Sequence, residues 1–141
     1  MAASTNADTF TGGAGLDVFA IGVGAIGTMS TITDLNLGTA VAAGGVDRIV
    51  TDSTANTAVV VTLTAAQQTG ITAAATFAAA LDSAIAAIDT TVAGVATFTY
   101  GTDTYLVMNN ANASLAFTAA DLVVKITGVV GTLDASDITI L

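Results

Sequence analysis

Residues 3–20 read ASTNADTFTGGAGLDVFA and contain a nine-residue pattern twice. The second copy, GGAGLDVFA, matches G-G-x-G-x-D-x-U-x, in which U is a large apolar residue. Nine positions earlier the pattern recurs in a weaker form, because Asp8 aligns with Asp17 and Phe10 aligns with Phe19. Two copies in one register favour a built turn over a chance glycine-rich string.

The glycines and aspartates of this segment have the properties of a calcium-binding turn. Ca²⁺ takes about six to eight oxygen ligands from carboxylates and backbone carbonyls, and glycine lets a chain turn tightly enough to direct several carbonyls at one point. We therefore predict metal ligands at Asp17 and Asp8 and at the carbonyls of Gly12, Gly13 and Gly15. The alternative is a flexible glycine-rich loop with ordinary aspartates.

The composition favours association between copies. The chain has 141 residues, the size of one domain. Hydrophobic residues make up 53% and charged residues 9% of it, and the mean hydropathy is +0.81, whereas about 25% of the residues of a typical soluble domain are charged. A chain with so few charged residues is expected to be poorly soluble as a monomer. We therefore expect a homo-oligomer or a polymer.

The charges are almost all negative. The eleven acidic residues are all Asp, and the only basic residues are Arg48 and Lys125, which gives a net charge of −9. Two cations cannot neutralise the phosphates of a nucleic acid, so we expect no nucleic-acid partner. The excess of negative charge instead favours the binding of divalent cations.

The residue inventory gives little support for catalysis. The absence of Cys and His excludes disulfides, thiol chemistry and imidazole chemistry. The absence of Glu leaves only Asp or Lys125 as a general base near neutral pH. Asp134 and Asp137 lie close together in sequence, but a turn cap explains them more simply than an acid–base pair. We therefore predict that the protein is not an enzyme.

One glycine-rich segment has a second interpretation. Gly22, Gly24 and Gly27 form G-x-G-x-x-G, and Asp47 follows about 20 residues later, as in a dinucleotide-binding fingerprint. That fingerprint needs a helix next, but residues 28–33 are rich in β-branched residues. A glycine loop leaving the calcium turn is the favoured interpretation.

No segment reads as a conventional membrane or signal sequence. The N-terminus has neither a basic region nor an apolar run, as a signal peptide requires. The most apolar stretch, residues 71–88, contains Asp82 and many Ala residues. We therefore expect no transmembrane segment.

The remaining pattern predicts a mainly β protein with one amphipathic helix at about residues 72–89. The helix is predicted because Phe77, Leu81, Ile85 and Ile88 recur at helical spacing and form one apolar stripe. Packing on the protein's own sheet is the favoured role of that stripe, and a partner groove is the alternative. A single helical turn is expected at residues 64–68, ended by Gly70.

The strands are predicted from β-branched runs and turn residues. Residues 95–100 and 103–108 form a hairpin, because Gly101 stands first in a two-residue loop, as a type II′ turn requires. The other predicted strands lie near residues 32–38, 45–50, 57–63, 122–127 and 138–141.

These features resemble the RTX, or haemolysin-type calcium-binding, C-terminal domains of bacterial proteins exported by type I secretion. In that family the roll leads into a segment like I-x-D-F-x-x-G-x-D-x-I. Residues 32–38, ITDLNLG, and residues 46–49, VDRI, match it with Leu35 in place of Phe and an insertion between them. Residues 120–129 and the terminal DITIL are similar to the secretion region of the family.

The resemblance implies calcium at the roll, a further ligand at Asp34, an extracellular or cell-surface destination, and an export signal read by the type I secretion machinery. The family also includes surface-layer and adhesin proteins that assemble through calcium. The repeat number is small, because rolls need at least about three repeats to bury a continuous core. Either the β-rich remainder caps the short roll, or another chain extends it.

The sequence thus predicts a single domain, residues 1–141. In it a short parallel β-roll at residues 3–20 continues into a β-rich cap and secretion-like region at residues 28–141, a β-sandwich or antiparallel sheet with one helix. The favoured function is a non-catalytic, calcium-binding, secreted bacterial surface protein that self-assembles into an S-layer or filament. The alternative is the C-terminal calcium-binding module of a larger exported enzyme or adhesin. Ice binding through the many Thr residues is disfavoured, because no regular T-x-T ladder is seen.

Overall fold

The computed structural model describes residues 6–22, 26–37, 46–51, 58–88, 93–110 and 114–140. Within these ranges it contains eleven short strands and two α-helices, which confirms the predicted mainly β class. The strands are β1 (Thr9–Phe10), β2 (Val18–Ala20), β3 (Thr31–Ile32), β4 (Asn36–Leu37), β5 (Arg48–Thr51), β6 (Ala58–Val60), β7 (Ala93–Tyr100), β8 (Asp103–Met108), β9 (Leu122–Ile126), β10 (Val130–Gly131) and β11 (Ile138–Ile140). The helices are α1 (Ala65–Thr72) and α2 (Phe77–Ala87).

The described part of the chain passes three times through the same pair of parallel ladders. The first pass contributes β1 and β2, the second β3 and β5, and the third β9 and β11. In one ladder β1, β3 and β9 are parallel, and in the other β2, β5 and β11 are parallel. The apolar residues at matched positions are Phe10, Ile32 and Ile126 in the first ladder and Phe19, Ile49 and Ile138 in the second.

This stacking differs from the predicted cap. We expected residues after 28 to fold as a sandwich or antiparallel sheet over the roll, but the second and third passes continue the parallel pairing of the first. Backbone bonds join consecutive passes: Thr33 N–H donates to the Phe10 carbonyl at 3.0 Å and Thr127 N–H to the Ile32 carbonyl at 2.8 Å. Only the β7–β8 and β8–β9 pairs are antiparallel among the described strands.

The first ladder continues into a six-stranded sheet with the order β1-β3-β9-β8-β7-β6. Alternate residues of its strands face two different cores, as the two-residue period of a strand requires. On β8, Leu106 and Met108 enter the core between the two sheets, whereas Tyr105 and Val107 enter the core under the helices. The described residues therefore form three layers, which are a three-stranded sheet, the six-stranded sheet and the helix pair, together with a small parallel pair of β4 and β10.

The apolar stripe of α2 packs against the protein's own sheet, as predicted. Leu81, Ile85 and Ile88 are buried, and the rings of Phe77 and Tyr105 have centroids 4.6 Å apart. Each fully buried aliphatic side chain of this kind stabilises the fold by roughly 1.5–3 kcal/mol. The stripe is therefore used within the chain.

The helix boundaries differ from the prediction. Helix α2 begins after its cap Thr76 and not at residue 72, because Thr72 ends α1. The expected single turn is instead the eight-residue α1, which starts with a capping box between Thr64 and Gln67 and runs through Gly70. A glycine inside a helix costs about 1 kcal/mol, and the complete burial of Ile71 one residue later offsets that cost.

The structure also tests the predicted turn at Gly101 and the dinucleotide interpretation of the glycine-rich segment. Gly101 has φ +63°, and the hairpin between β7 and β8 is formed as predicted. The dinucleotide interpretation is wrong for the described residues, because Gly27 lies in a short 3₁₀ turn that leads into β3 and not into a helix. Gly24 lies outside the described residues.

The apolar stretch at residues 71–88 does not form one long helix. It spans the end of α1, a short turn and α2. Among the described residues, no helix combines the length and the hydropathy needed to cross a membrane.

Candidate metal-binding turns

The turn between β1 and β2 is as tight as the nine-residue pattern predicts. Gly13 and Gly15 have φ values of +92° and +125°. L-residues rarely adopt that region, so glycine is needed at both positions. The turn brings Gly12 and Asp17, five residues apart, into direct contact.

Asp17 carries an unusual carboxylate. Its Oδ2 is buried and has no hydrogen-bond partner among the described residues. The oxygen lies directly over Gly12, since a Cβ built there would be 2.6 Å from it. A buried carboxylate oxygen without a partner is costly, and a bound cation is one group that removes that cost.

Asp34 reaches from the second pass onto the same turn. Its Oδ1 accepts the Gly12 N–H at 2.9 Å, and its Oδ2 accepts the Gly13 N–H at 2.6 Å. An ionised carboxylate has about four lone-pair positions, so these bonds leave capacity for a further partner. The structure thus brings four predicted residues, Gly12, Gly13, Asp17 and Asp34, together at one turn.

Asp8 lies in a different place from the other predicted ligands. It precedes β1, whereas the glycine turn follows β1. Its N–H donates to Ser30 Oγ at 3.3 Å, and its carbonyl accepts the Thr31 N–H at 2.8 Å. The two aspartates that align in the repeat therefore belong to separate turns, and an ion held by Asp17 would not be shared with Asp8.

Asp47 is a polar residue of this region that the sequence interpretation did not single out as part of the site. It is fully buried, and its Oδ1 accepts the Asp17 N–H at 3.0 Å while its Oδ2 accepts the Asn36 N–H at 2.8 Å. The sequence held a signal, because VDRI at residues 46–49 repeats the D-x-U part of the pattern. Val18 pairs with Arg48, so Asp47 is the second-pass equivalent of Asp17.

Many other aspartates also accept backbone N–H groups. Asp121 accepts from Asn110 and Thr118, and Asp82 accepts from Phe117.

Asp134 accepts the Ser136 N–H, and Asp137 accepts the Asp134 N–H, so the predicted turn cap is confirmed. Hydrogen bonding to Ser136 holds the pKa of Asp134 below its usual value. Much of the acidity therefore fixes loops and turns.

Among the described residues, one ion pair lies on the helix-covered face of the six-stranded sheet. Lys125 Nζ lies 2.8 Å from Asp103 Oδ2, and this hydrogen bond raises the pKa of Lys125. The Tyr105 hydroxyl donates to the same oxygen at 3.4 Å. Burial, followed by the negative charge of Asp103, raises the pKa of Tyr105. The cluster joins β8 to β9 and lies outside the glycine turn.

The residues at the glycine turn fit a calcium ion in part. The described residues contain no cluster of three acidic side chains arranged to hold a metal, so a full ligand set at Asp17 and Asp34 needs backbone carbonyls, which Ca²⁺ accepts readily. The buried Oδ2 of Asp17 supplies negative charge for a cation, and it lacks a hydrogen-bond partner among the described residues. The described residues of the turn supply carboxylate and carbonyl oxygens, which are the ligand types of Ca²⁺, and no nucleophile with an adjacent base.

Comparison with known proteins adds no assignment to this geometry. No family model matches the chain, and a search of curated proteins found no match.

Proposed function

We propose that the protein is a non-catalytic, calcium-stabilised structural protein that works outside the cell and associates with copies of itself. One observation carries the proposal: the buried Oδ2 of Asp17 has no partner among the described residues and lies against Gly12 in the turn whose sequence matches a calcium motif. A cation is the simplest partner for that oxygen, because the N–H groups of Gly12 and Gly13 already donate to Asp34.

The turn would hold the ion through Asp17, Asp34 and the carbonyls of Gly12, Gly13 and Gly15. Asp17 belongs to the first pass and Asp34 to the second. A bound Ca²⁺ supplies positive charge between two carboxylates that otherwise repel each other. Because these carboxylates come from consecutive passes, the ion would stabilise the stacking of one pass on the next.

The parallel ladders support the β-roll part of the proposal. Each pass supplies one strand to each of two sheets, and their apolar residues share one core. Three passes correspond to the smallest number of repeats expected to bury a continuous core. On this proposal the first pass, with β1 and β2, is one layer of a roll that also includes β3, β5, β9 and β11.

Secretion and self-association rest on the sequence. The similarity of residues 120–129 and of the terminal DITIL to an export region supports the type I route and an extracellular or cell-surface location. The low charged fraction of 9% and the net charge of −9 support calcium-dependent association, because a divalent cation reduces the repulsion between copies.

The second candidate is a C-terminal calcium-binding and secretion module of a larger exported enzyme or adhesin. The strand order favours it, because β1 and β2 are the outermost strands of their sheets in the described part of the chain. An upstream roll of a longer chain would add its strands at that edge. Export of a fused passenger by a type I system would support this candidate.

The proposal is tested by measuring thermal unfolding and light scattering with calcium and with a chelator. We expect calcium to raise the melting temperature and to increase the mean mass, and chelator to reverse both. Magnesium at the same ionic strength is the control, because it demands a smaller octahedral site. A melting temperature that calcium leaves unchanged would overturn the metal role, and a monomer in both conditions would overturn the assembly role.

A further inference from the structure

We propose that the edge of β7 at Thr97 binds an uncharged, extended peptide segment of another protein, one residue of which pairs with the Thr97 backbone. Three observations carry the proposal. Thr97 has a backbone N–H and C=O without partners among the described residues, a side-chain amide already occupies the next position along the same edge, and apolar walls surround the opening. This role is separate from the calcium role proposed above.

The backbone groups of β7 point alternately to its two neighbouring strands. The even-numbered residues face β8, because the Gly94 carbonyl accepts the Asn109 N–H at 2.9 Å. The odd-numbered residues face β6, because the Val95 carbonyl accepts the Val61 N–H at 2.8 Å. Adjacent residues of a strand direct their hydrogen-bonding groups to opposite sides. The N–H and the C=O of Thr97 therefore point toward the β6 side.

Thr97 lies where β6 no longer covers that edge. Strand β6 ends at Val60, which pairs with Val95, and the following Val61 N–H makes the last backbone bond from that side. Among the described residues, neither the N–H nor the C=O of Thr97 forms a hydrogen bond on the β6 side. Unpaired groups at a strand edge are a template for pairing with another chain.

The side chain of Gln68 shows that this edge pairs with an amide. Its Nε2 donates to the Thr99 carbonyl at 3.0 Å, and its Oε1 accepts the Thr99 N–H at 3.3 Å. These are the two bonds that one residue of a neighbouring strand would make. Thr99 is thereby closed by the chain itself. Thr97 lies between that closed position and the end of β6, and a peptide residue would pair with it as Gln68 pairs with Thr99.

The cleft that Thr97 lines has a volume of about 450 Å³ and mostly apolar walls. Val60, Val61 and Leu63 form one wall, and Leu133 of the third pass contributes another. No charged residue lines the cleft in the part of the chain that the structure describes. A charged ligand would lose hydration there without gaining an opposite charge. An aliphatic side chain beside the paired residue would instead be buried, so the cleft favours an uncharged peptide.

Backbone amide NMR tests the pairing at the atoms concerned. The probe is the capped peptide acetyl-Thr-Val-Thr-amide, which is uncharged and β-branched. We expect saturable shifts that are largest at the Thr97 N–H. The matched ligand replaces the valine N–H by an ester oxygen, so it cannot donate to the Thr97 carbonyl, and it should bind roughly fivefold more weakly. A peptide that leaves the Thr97 signal unshifted would overturn the proposal.

The first test variant is Thr97→Pro, which removes the N–H that a peptide carbonyl would accept from. Proline is tolerated at a strand edge where the ladder does not use the N–H, so we expect a folded protein that no longer binds the probe. Full binding by a folded Thr97→Pro protein would overturn the pairing.

A second pair of variants keeps the test decisive if Thr97→Pro fails to fold. Ala65 and Ala66 are both exposed in the first turn of α1, but only Ala65 lines the cleft. We expect Ala65→Trp to block the cleft and abolish the Thr97 shift, and the control Ala66→Trp to bind the probe as the wild type does. Equal binding by the two variants would place the peptide outside the cleft and overturn the proposal.

Two further titrations separate the other possible occupants. N-acetylglucosamine carries an amide but no extended chain, so shifts at Thr97 with the sugar and none with the peptide would overturn the peptide assignment. A Thr97 signal that shifts with protein concentration alone, and not with the peptide, would instead assign the edge to a second copy of the chain. Neither outcome bears on the calcium role, because no predicted calcium ligand lines the cleft.

Discussion

Asp47 Oδ1 accepts the backbone N–H of Asp17 at 3.0 Å, and the two residues occupy equivalent positions in consecutive passes. The same carboxylate accepts the Asn36 N–H within its own pass. Asp47 therefore joins two passes through a fully buried acceptor. Asp17 has the same place in the first pass, but its buried Oδ2 has no such donor among the described residues. Two aspartates at equivalent positions thus differ in their hydrogen bonding.

We predict that Asp47→Asn destabilises the protein to a similar extent with and without calcium. The amide keeps one acceptor but places an NH₂ group against one of two backbone N–H donors. Losing a hydrogen bond to a charged group costs about 1.5–3 kcal/mol, and the unpaired donor adds to the loss. Chemical unfolding in calcium and in chelator measures the effect. A loss seen only in calcium would mean that Asp47 acts through the ion.

The contrasting variant is Asp17→Ala. We expect it to lower the melting temperature in calcium and to leave it nearly unchanged in chelator, because its Oδ2 makes no hydrogen bond to lose among the described residues. Calcium titration of both variants by calorimetry separates the roles further, since only Asp17→Ala should weaken binding. Equal losses in both conditions would show that Asp17 is structural and not a ligand.

The parts of the fold that the sequence predicts well are local. The hairpin at Gly101 and the stripe of α2 are each determined within a few residues, by turn chemistry and by helical spacing. The third pass is different, because Ile126 pairs with Ile32 across most of the chain. Nothing local distinguishes a parallel strand from an antiparallel one, so an antiparallel cap was expected where the ladder continues.

The candidate site likewise combines features that are local in sequence with features that depend on strand pairing. The spacing of Gly12, Gly13 and Asp17 predicts the tight turn, since φ and side-chain length act over a few residues. Asp8 shares the repeat but precedes its strand, and the separation of the two turns depends on how strands pair. The sequence does not predict Asp47 as a site residue for a similar reason. Its hydrogen bond to the Asp17 N–H depends on the register between Val18 and Arg48.

Gly128 should be required for the third pass to stack on the second. It has φ +63°, and a Cβ there would lie 2.5 Å from the Thr33 carbonyl oxygen. We predict that Gly128→Ala costs about 1–3 kcal/mol from the strained backbone alone, with the clash against backbone adding to it. Denaturant unfolding measures the loss.

The control for Gly128→Ala is Gly70→Ala. Gly70 lies inside α1, and a Cβ there would meet nothing within 4 Å. Alanine in a helix interior is favoured over glycine by about 0.5–1 kcal/mol, so this variant should be more stable than the wild type. A Gly128→Ala protein as stable as the wild type would mean that the two passes separate easily at this point.

The cluster of Asp103, Tyr105 and Lys125 predicts a loss of stability at alkaline pH. The hydrogen bond to Asp103 raises the pKa of Lys125 above 10.5, and burial raises the pKa of Tyr105 above 10.0. In both cases the folded-state pKa exceeds the unfolded one. The stability that they contribute is therefore complete below about pH 10, near the unfolded values, and is lost as pH rises through the folded values.

Asp103→Asn should weaken this pH dependence, because it removes the carboxylate that pairs with Lys125 and opposes ionisation of Tyr105. We expect a lower melting temperature at neutral pH and a shallower fall above pH 10. Tyrosinate absorbance in a Tyr100→Phe background reports Tyr105 alone, since the chain has two Tyr. That titration should move to lower pH in the Asp103→Asn variant, while burial keeps it above the ordinary value. Identical titrations with and without Asp103 would show that the ion pair does not affect the pKa of Tyr105.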